Sequence, residues 1–328
     1  MKLIICGNGL DIHVGLNTSY RAYRSYLEKE KIFDGEKAIS IIENSCFFVP
    51  RDTDCWSDLE NALTFDCESY IKQYVDAFDR DIDVNKEEEC KSQINAAGKF
   101  LKQSPKDIAR EFTNEWFWEW IAKQYYKNIE RECEIHKNDV LFEIVDKSSV
   151  CVNFNYTHTI EDFLKIREEQ ILYIHNRLPD KRTGAIKVDD LVQEIMRSSR
   201  KQFQFGSVRN SLQEWEKMVD RVQLKSSGQL MKKETLKKDI RELYWAFSKN
   251  LSENYDKLRA FIEVHKDEIT EVVVLGHNIL GVDEPYYRDV IVPMLKDKKW
   301  EIYWHGNDRM AKEFSDKYKL LNVQLISW

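Results

Sequence analysis

The sequence predicts an α/β protein in which helices cover both faces of a mostly parallel β-sheet. Three observations favour this fold. The strongest apolar runs, residues 3–6 and Glu271–Leu275, are unbroken rather than alternating, as expected for strands buried on both faces. Helix-like segments alternate with such runs along the chain. The first run leads directly into the turn Gly7-Asn8-Gly9, a pattern typical of α/β domains that bind nucleotides.

The predicted strands are the apolar runs, and the predicted helices are segments between them. The strand-like runs cover residues 3–6, 149–154, 171–174, 203–205, 271–275, 301–304 and 323–326. The helical segments include residues 157–165, 282–295 and 308–319. This alternation predicts a doubly wound core.

Two insertions interrupt the alternation. Residues 18–147 contain few strand-like runs and only two prolines, and their long charged-apolar periodicity predicts a helical subdomain. Residues from about 210 to 266 resemble one or two long helices. We therefore expect an α/β nucleotide-binding core made of residues 1–17 and 148–328, with the second insertion inside it, and a separate helical subdomain of residues 18–147.

Composition and charge narrow the class of protein. The chain has 328 residues, 42% of them hydrophobic and 33% charged, which is enough for a sizeable core in one large or two smaller domains. Its formal net charge of -7 provides no positive field to attract nucleic acid or an anionic membrane. No apolar run approaches the roughly 18 residues of a membrane span. The amino terminus carries one lysine and about four apolar residues, which are too few for a signal peptide. We expect a cytoplasmic protein.

The cysteines argue against a metal site. There are 7 of them, and none lies two to four residues from another, so the usual spacing of a structural zinc site is missing. Reduced thiols in a cytosolic protein explain them best. We predict no metal ligands and no zinc.

An aromatic segment, residues 111–126, stands out in the first insertion. Trp116, Phe117 and Trp120 share much of one helical face. Such a face could stack on nucleic-acid bases or form an oligomer interface. Burial in the core of the helical insertion is the better interpretation, because aromatic stripes at this spacing most often face a core.

Polar side chains and glycines follow several predicted strands at the point where each strand ends. These residues are Gly7, Asn8, Gly9 and Asp11 after the first strand, Asn155 and Thr157 after the second, His175 after the third, and Gly276, His277, Asn278 and Asp283 after the fourth. Parallel strands bring such ends to one edge of a sheet, where α/β proteins bind ligands. Taken one at a time, a glycine turn or a helix-capping acid explains each of them. Taken together, they predict one cleft.

Several motifs resemble the bacterial AbiH family, which is linked to abortive phage infection. The motifs are Gly7-Asn8-Gly9-Leu10-Asp11, Gly15-Leu16, Thr18-Ser19-Tyr20, Trp56-Ser57-Asp58-Leu59-Glu60, Phe154-Asn155-Tyr156-Thr157 and Gly276-His277 with Asp283. The resemblance extends over essentially the whole chain. It implies an antiviral defence role and says little about chemistry.

A more distant resemblance, to sirtuin-like NAD-binding domains, implies a Rossmann-like fold and NAD as substrate or ligand. Gly7, Gly9, Gly15 and Leu16 keep the spacing of the sirtuin-like opening G-A-G-x-S-x-x-x-G-I-P. The segment from Asn153 to Thr157, followed by Glu161, is similar to the asparagine-bearing strand end. His175-Asn176 and the 276–283 segment are similar to the later histidine-glycine and ribose-binding motifs. Asp11 replaces the serine of the pattern, Thr157 its aspartate and Asn176 its glycine.

This second resemblance implies roles for the strand-end residues. Asn155 would hold a water or a ribose hydroxyl, His175 would act as general base, and Asp11 would stabilise developing positive charge as an N-glycosidic bond breaks. Backbone N–H groups of residues 7–9 would contact the diphosphate. The adenosine half would contact His277, Asn278 and Asp283. The whole predicted nucleotide-binding set is Gly7, Asn8, Gly9, Gly15, Thr157, Gly276, His277, Asn278 and Asp283.

Three functions therefore stay open. The first is a defence enzyme that binds NAD or a related nucleotide and hydrolyses its N-glycosidic bond. The second is a non-catalytic module that senses a nucleotide or binds a partner, such as a phage-derived trigger, a companion defence protein or a second copy of the chain. The third is a metal-dependent nuclease or nucleotidyltransferase, with Asp11 and Asp283 meeting at the metal. The sequence lacks the cysteine quartet that holds structural zinc, which argues against a sirtuin-type deacylase.

Overall fold

A computed structural model describes residues 1–48, 54–79, 85–179, 211–224, 229–248 and 251–328. Within them lies a 6-stranded sheet in which every paired neighbour is parallel. Its strands are β1 (Lys2–Cys6), β2 (Val150–Asn153), β3 (Ile171–Tyr173), β4 (Glu271–Leu275), β5 (Lys299–Trp304) and β6 (Val323–Ser327). The predicted α/β class and parallel sheet are confirmed. The strand predicted at residues 203–205 lies outside the described residues.

The strand order is β3-β2-β1-β4-β5-β6. The chain therefore builds the sheet outward in one direction from β1 and then in the other direction from β4. This is the order of a doubly wound, Rossmann-like sheet, and the reversal point between β1 and β4 is where such sheets bind ligands. Strand register sets Cys6 opposite both Asn153 and Leu275, so three strands end at the same level.

The chain divides into two compact units. The first comprises Met1–Ala22, Trp118–Lys201 and Asn250–Trp328, and it contains the sheet. Helices lying wholly within it are α1 (Asn8–His13), Leu141–Ile144, Thr159–Asp162, Leu251–His265, Glu284–Tyr286, Val292–Leu295 and Arg309–Tyr318, with a 3-10 turn at Glu168–Gln170 and a π turn at Tyr287–Ile291. Its core is the apolar face of the central strands, including Leu3, Ile5, Val272 and Val274.

The second unit comprises Tyr23–Phe117 and Gln202–Lys249, and its described part is helical. Its helices are Ile32–Asn44, Leu59–Ala62, Cys67–Phe78, Glu87–Gln103, Lys106–Arg110, Leu212–Arg221 and Gln229–Phe247, with a π turn at Glu111–Glu115. Two further helices, Tyr20–Glu30 and Trp116–Ile135, include residues of both units. The domain limits drawn from the sequence stay a prediction.

The π turn at Glu111–Glu115 changes which aromatic rings share a face. A π turn holds one more residue than an α turn, so Phe117, five residues after Phe112, takes the place expected for Trp116. Both phenylalanine rings are buried, each with its centroid 5.2 Å from that of Tyr23. Trp116 is only half-buried, and Trp120 is buried. The aromatic stripe is therefore a core feature, as interpreted.

The glycine turns after β1 and β4 touch each other at the reversal point. Gly9 N donates a hydrogen bond to Gly276 O at 2.8 Å. A Cβ atom on Gly9 would lie 2.6 Å from Gly276 Cα, closer than two non-bonded carbon atoms can approach. Gly276 itself has φ 58°, in the left-handed region that glycine tolerates best. Glycine is needed here for close backbone packing.

Replacing Gly9 by alanine is expected to destabilise the sheet unit by about 2 kcal/mol, because the contact is with backbone that cannot rotate away. Urea unfolding followed by circular dichroism measures the loss. The matched control is Gly98→Ala, in the helix Glu87–Gln103, where an added Cβ meets nothing within 4 Å. That control should be roughly 0.5–1 kcal/mol more stable than wild type. Equal stability of both variants would contradict the packing role of Gly9.

Candidate functional site

A buried carboxylate lies where β1 and β2 end. Asp11, on helix α1, accepts hydrogen bonds from the hydroxyls of two threonines that follow β2. Thr157 Oγ1 lies 2.9 and 2.7 Å from its two oxygens, and Thr159 Oγ1 lies 2.6 Å from Oδ1. Asn155 Nδ2 adds a longer contact of 3.3 Å. The structure thus brings together three of the predicted site residues from distant parts of the sequence.

The turn after β2 is shaped by two asparagines. The side-chain oxygen of Asn153 accepts a hydrogen bond from Asn155 N at 2.8 Å, which bends the chain as it leaves the strand. Asn155 Nδ2 then donates to Gly7 O at 3.0 Å and ties this turn to the one after β1. With both Nδ2 hydrogens directed to Gly7 and Asp11, the Oδ1 atom of Asn155 is the part left to accept a hydrogen bond from a ligand.

Burial controls the protonation of Asp11. Its residue surface is 1% exposed, and loss of solvation raises the pKa of the carboxyl from 3.8 to about 6. Hydrogen bonds from Thr159, Thr157 and Asn155 favour the ionised form and limit the rise. Near neutral pH the group is mostly a carboxylate, and it takes up a proton more readily than an ordinary aspartate does. Such a group can stabilise a positive charge or exchange a proton.

A second carboxylate, Asp283, lies between two histidines. His277 Nε2 is 3.2 Å from Asp283 Oδ2, and His277 Nδ1 is 2.6 Å from the hydroxyl of Tyr287. The other oxygen, Asp283 Oδ1, is 3.6 Å from His175 Nε2. Asp283 immediately precedes the short helix Glu284–Tyr286, in the capping position, yet its side chain makes no capping hydrogen bond. Its carboxylate is turned towards the histidines.

His175 is buried without hydrogen bonds. Its side chain is 3% exposed, and neither ring nitrogen has a hydrogen-bond partner. The ring packs against aromatic neighbours, with centroid distances of 5.7 Å to Tyr156 and 5.8 Å to Phe154. A buried, unsatisfied polar group costs about 1–3 kcal/mol, so native proteins seldom keep one without a functional reason. Both ring nitrogens of His175 are thus left without a partner at the sheet edge.

Phe154 and Gly7 join the aspartate network to the histidine pair. The Phe154 ring stacks on His277 with a centroid distance of 4.1 Å, and the next residue is Asn155. Gly7 accepts the Asn155 hydrogen bond, and a Cβ at Gly7 would lie 2.5 Å from His277 Cδ2. These contacts group Gly7, Phe154, Asn155, His175 and His277 at one edge of the sheet.

A family model for bacteriophage abortive infection AbiH matches residues 3–304. The chain belongs to the AbiH family. Membership implies a role in defence against bacteriophage by abortive infection. No curated protein and no solved structure matches the chain.

Several predicted nucleotide contacts of this AbiH protein are engaged within the chain. Gly7 N donates to Leu275 O at 3.2 Å, and Gly9 N donates to Gly276 O, so these two N–H groups are not directed at a ligand. Both ring nitrogens of His277 have partners. Their assignment to a diphosphate or an adenosine stays a prediction that this arrangement does not favour.

Three other predicted residues of the AbiH protein lie at the margin of the cluster. Asn8 Nδ2 donates to Thr18 O at 2.9 Å and closes the loop after α1. Gly15 has φ 89°, and an added Cβ would lie 2.6 Å from a carboxylate oxygen of Glu132. Asn278 is exposed at the turn after β4, whereas Asn8 is half-buried.

Sequence reasoning missed two members of the AbiH site. Thr159 donates the shortest hydrogen bond to Asp11, and the repeated hydroxyls of Thr157 and Thr159 were a signal that a common acceptor lies nearby. Tyr287 orients His277 from within a π turn. Hydrophobic periodicity does not reveal such a turn.

A separate polar cluster borders a cavity of about 680 Å³ in the sheet unit. Tyr173 donates its hydroxyl to the Glu161 carboxylate, 2.6 and 2.7 Å from the two oxygens. His158 lies 3.4 Å from the same carboxylate. Burial is the largest single influence on the pKa of His158 and lowers it, but the hydrogen bond and charge of Glu161, together with the bond to the Leu178 carbonyl, raise the pKa overall. This cluster fixes the helix Thr159–Asp162 and hence Thr159.

Among the described residues, no group of three or more His, Cys, Asp or Glu side chains could hold a metal ion. None of the helices within the same ranges has both the length and the apolar character of a membrane span. The metal-dependent alternative stays a prediction.

The pKa of Asp11 predicts a pH dependence of stability. Between about pH 4 and about pH 6 the folded chain keeps the Asp11 proton that the unfolded chain has lost. The folded state then binds more protons, so the free energy of unfolding falls as the pH rises through this window, by about 3 kcal/mol from this group. The Asp11→Asn variant cannot titrate and should lack this fall, which urea unfolding at a series of pH values measures.

The control for this experiment is Asp256→Asn, at an exposed aspartate of the helix Leu251–His265. It should keep the wild-type pH dependence. An Asp11→Asn protein whose stability varies with pH as in wild type would show that Asp11 titrates normally.

Proposed function

We propose that this AbiH protein protects against phage by binding NAD or a related nucleotide and hydrolysing its N-glycosidic bond. The observation that carries the proposal is the buried imidazole of His175, which has no hydrogen-bond partner and lies at the edge of the sheet that also holds Asp11. A buried histidine in this state is suited to accept a proton from a bound water or hydroxyl.

The position in the fold supports a nucleotide as the ligand. The strand order reverses between β1 and β4, and doubly wound sheets bind nucleotides in the crevice at this reversal. The turns containing Gly7 and Gly276 flank the reversal point directly. The fold alone does not specify a reaction, so the chemistry rests on the side chains.

The charge of the site supports binding of the cationic ring of the proposed substrate. Asp11 and Asp283 both place carboxylates at this edge. Negative charge there attracts the positively charged pyridinium ring of NAD and stabilises the oxocarbenium-like state formed when the glycosidic bond breaks.

The proposed reaction assigns one task to each side chain. Asn155 Oδ1 accepts a hydrogen bond from the attacking water and orients it. His175 removes a proton from that water as its oxygen bonds to the anomeric carbon of the ribose. The carbon–nitrogen bond breaks, and nicotinamide leaves with the electron pair. Asp11 stabilises the positive charge on the ribose during this step.

Two of the three departures from the sirtuin-like pattern add support to the proposal. Asp11 replaces a serine of the pattern, and Thr157 replaces an aspartate. In the structure these two residues are hydrogen-bonded to each other at 2.7 Å. The acid and the hydroxyl are both present, with their positions exchanged, so the chemistry of the pair is retained.

A non-catalytic nucleotide sensor is the second candidate. The hydrogen bonds within the chain that engage Gly7 N, Gly9 N and both His277 nitrogens favour it, because they make the sheet edge rigid and leave few groups to reorganise. A phage-derived trigger, a companion protein or a second copy of the chain would then carry the response. These partners, and a cytoplasmic location, belong to the proposal.

Nicotinamide release from NAD by purified protein tests the enzyme directly, with and without lysate of phage-infected cells. His175→Ala should lower kcat about 10²–10⁴-fold because the general base is lost, and Asn155→Ala about 10²-fold because the water is no longer oriented. His305→Ala, at an exposed histidine, is the matched control and should keep wild-type activity. Tight NAD binding with no release under either condition would favour the sensor instead.

A further inference from the structure

We propose that Asp283, held by Tyr287 through His277, positions His175 so that its Nδ1 atom is the proton acceptor. This inference rests on the proposed function and refines it, since it converts two residues expected to contact adenosine into positioning residues for the base.

The tautomer of His277 is fixed by its neighbours. Its Nε2 atom lies 3.2 Å from Asp283 Oδ2, and a lone pair facing a carboxylate oxygen at that distance would be repelled, so Nε2 carries a hydrogen. Nδ1 is then the acceptor for the Tyr287 hydroxyl at 2.6 Å. Burial and the nearby Asp283 raise the pKa of Tyr287 well above its usual range, which keeps this hydroxyl protonated as a donor.

The carboxylate transmits this orientation to His175. Because Oδ2 of Asp283 accepts from His277, Oδ1 is the oxygen directed at His175 Nε2, 3.6 Å away. Catalytic hydrogen bonds are often long in the absence of substrate and shorten when it binds. A hydrogen on Nε2 facing Asp283 leaves the lone pair on Nδ1. His175 is then a neutral base with its acceptor atom turned away from the carboxylate.

Rigid neighbours hold both imidazole rings in this arrangement. Phe154 stacks on His277 at 4.1 Å and meets His175 edge-on at 5.8 Å. Tyr156 and Tyr286 pack against His175, with centroid distances of 5.7 and 6.4 Å. Apart from Asp283, these tyrosines are the titratable groups that the described contacts place around the His175 ring.

The backbone around Asp283 lacks two features that usually stabilise a helix, a capping hydrogen bond and a regular α-helical turn. Asp283 stands at a helix N-terminus, where an aspartate usually accepts a backbone N–H bond, but it makes no such bond. The π turn at Tyr287–Ile291 follows at once, and both Tyr286 and Tyr287 are fully buried. π turns frequently mark functional sites, because they redirect a side chain that a regular helix would place elsewhere.

Steady-state kinetics of nicotinamide release by the full chain, with NAD as the probe, tests the positioning role. Asp283→Asn should lower kcat about 10²–10⁴-fold while KM changes less than about threefold. Asp283→Glu, which restores the carboxylate, should recover part of the loss. Tyr287→Phe should lower kcat about tenfold, because His277 Nδ1 loses the hydroxyl that donates to it. Tyr255→Phe is the matched control, since its hydroxyl contacts Asp289 instead, and it should retain wild-type kcat.

Nitrogen-15 NMR of the histidine side chains tests, without turnover, the hydrogen-bond arrangement that links Tyr287 through His277 and Asp283 to His175. We expect His175 and His277 to carry their protons on Nε2 in the wild type, and the Nδ1–H form of His175 to appear in Asp283→Asn. A wild-type protein that releases no nicotinamide but shows the expected tautomers would refute the proposed function and support the positioning of His175 by Asp283. A wild-type Nδ1–H tautomer at either histidine, or an Asp283→Asn variant that keeps kcat or loses only KM, would overturn the positioning role.

Discussion

The close approach of two backbones, at Gly9 and Gly276, is the constraint on which the site depends. Because neither residue has a side chain, the turns after β1 and β4 come into direct contact at the reversal point of the sheet. Gly7, two residues earlier, can then lie against His277 while its carbonyl accepts the Asn155 hydrogen bond. The Asp11 network and the histidine pair are thereby held next to each other by the backbone.

Much of this arrangement could be predicted from the sequence, because strand ends in a parallel sheet share one edge. Asp11, Asn155, Thr157, His175 and Asp283 were all found in this way. The destinations of individual hydrogen bonds could not be predicted. A glycine N–H near a strand end suits a phosphate and a neighbouring carbonyl equally well, and only the approach of β4 decides between them. The π turns at 111–115 and 287–291 were also beyond prediction, since they break the 3.6-residue period.

Burying Asp11 and His175 at the sheet edge costs stability within an otherwise well-packed unit. Asp11 is held ionised near neutral pH in a buried position, and His175 is buried without hydrogen bonds. The surrounding strands are almost wholly apolar and buried, and they supply the stability that offsets these costs. A buried carboxylate and a buried imidazole without hydrogen bonds at one sheet edge are features more typical of a functional site than of a core.

Asp11 and Thr157 depend on each other, because a buried carboxylate stays ionised only when hydrogen-bond donors support it. As partners in one hydrogen bond, they form a buried carboxylate supported by a hydroxyl. Helix α1, after β1, carries the charge, and the turn after β2 carries the hydroxyl. The carboxylate therefore reaches the reversal point from the β1 side, next to the Gly7 turn, while His175 reaches it from β3.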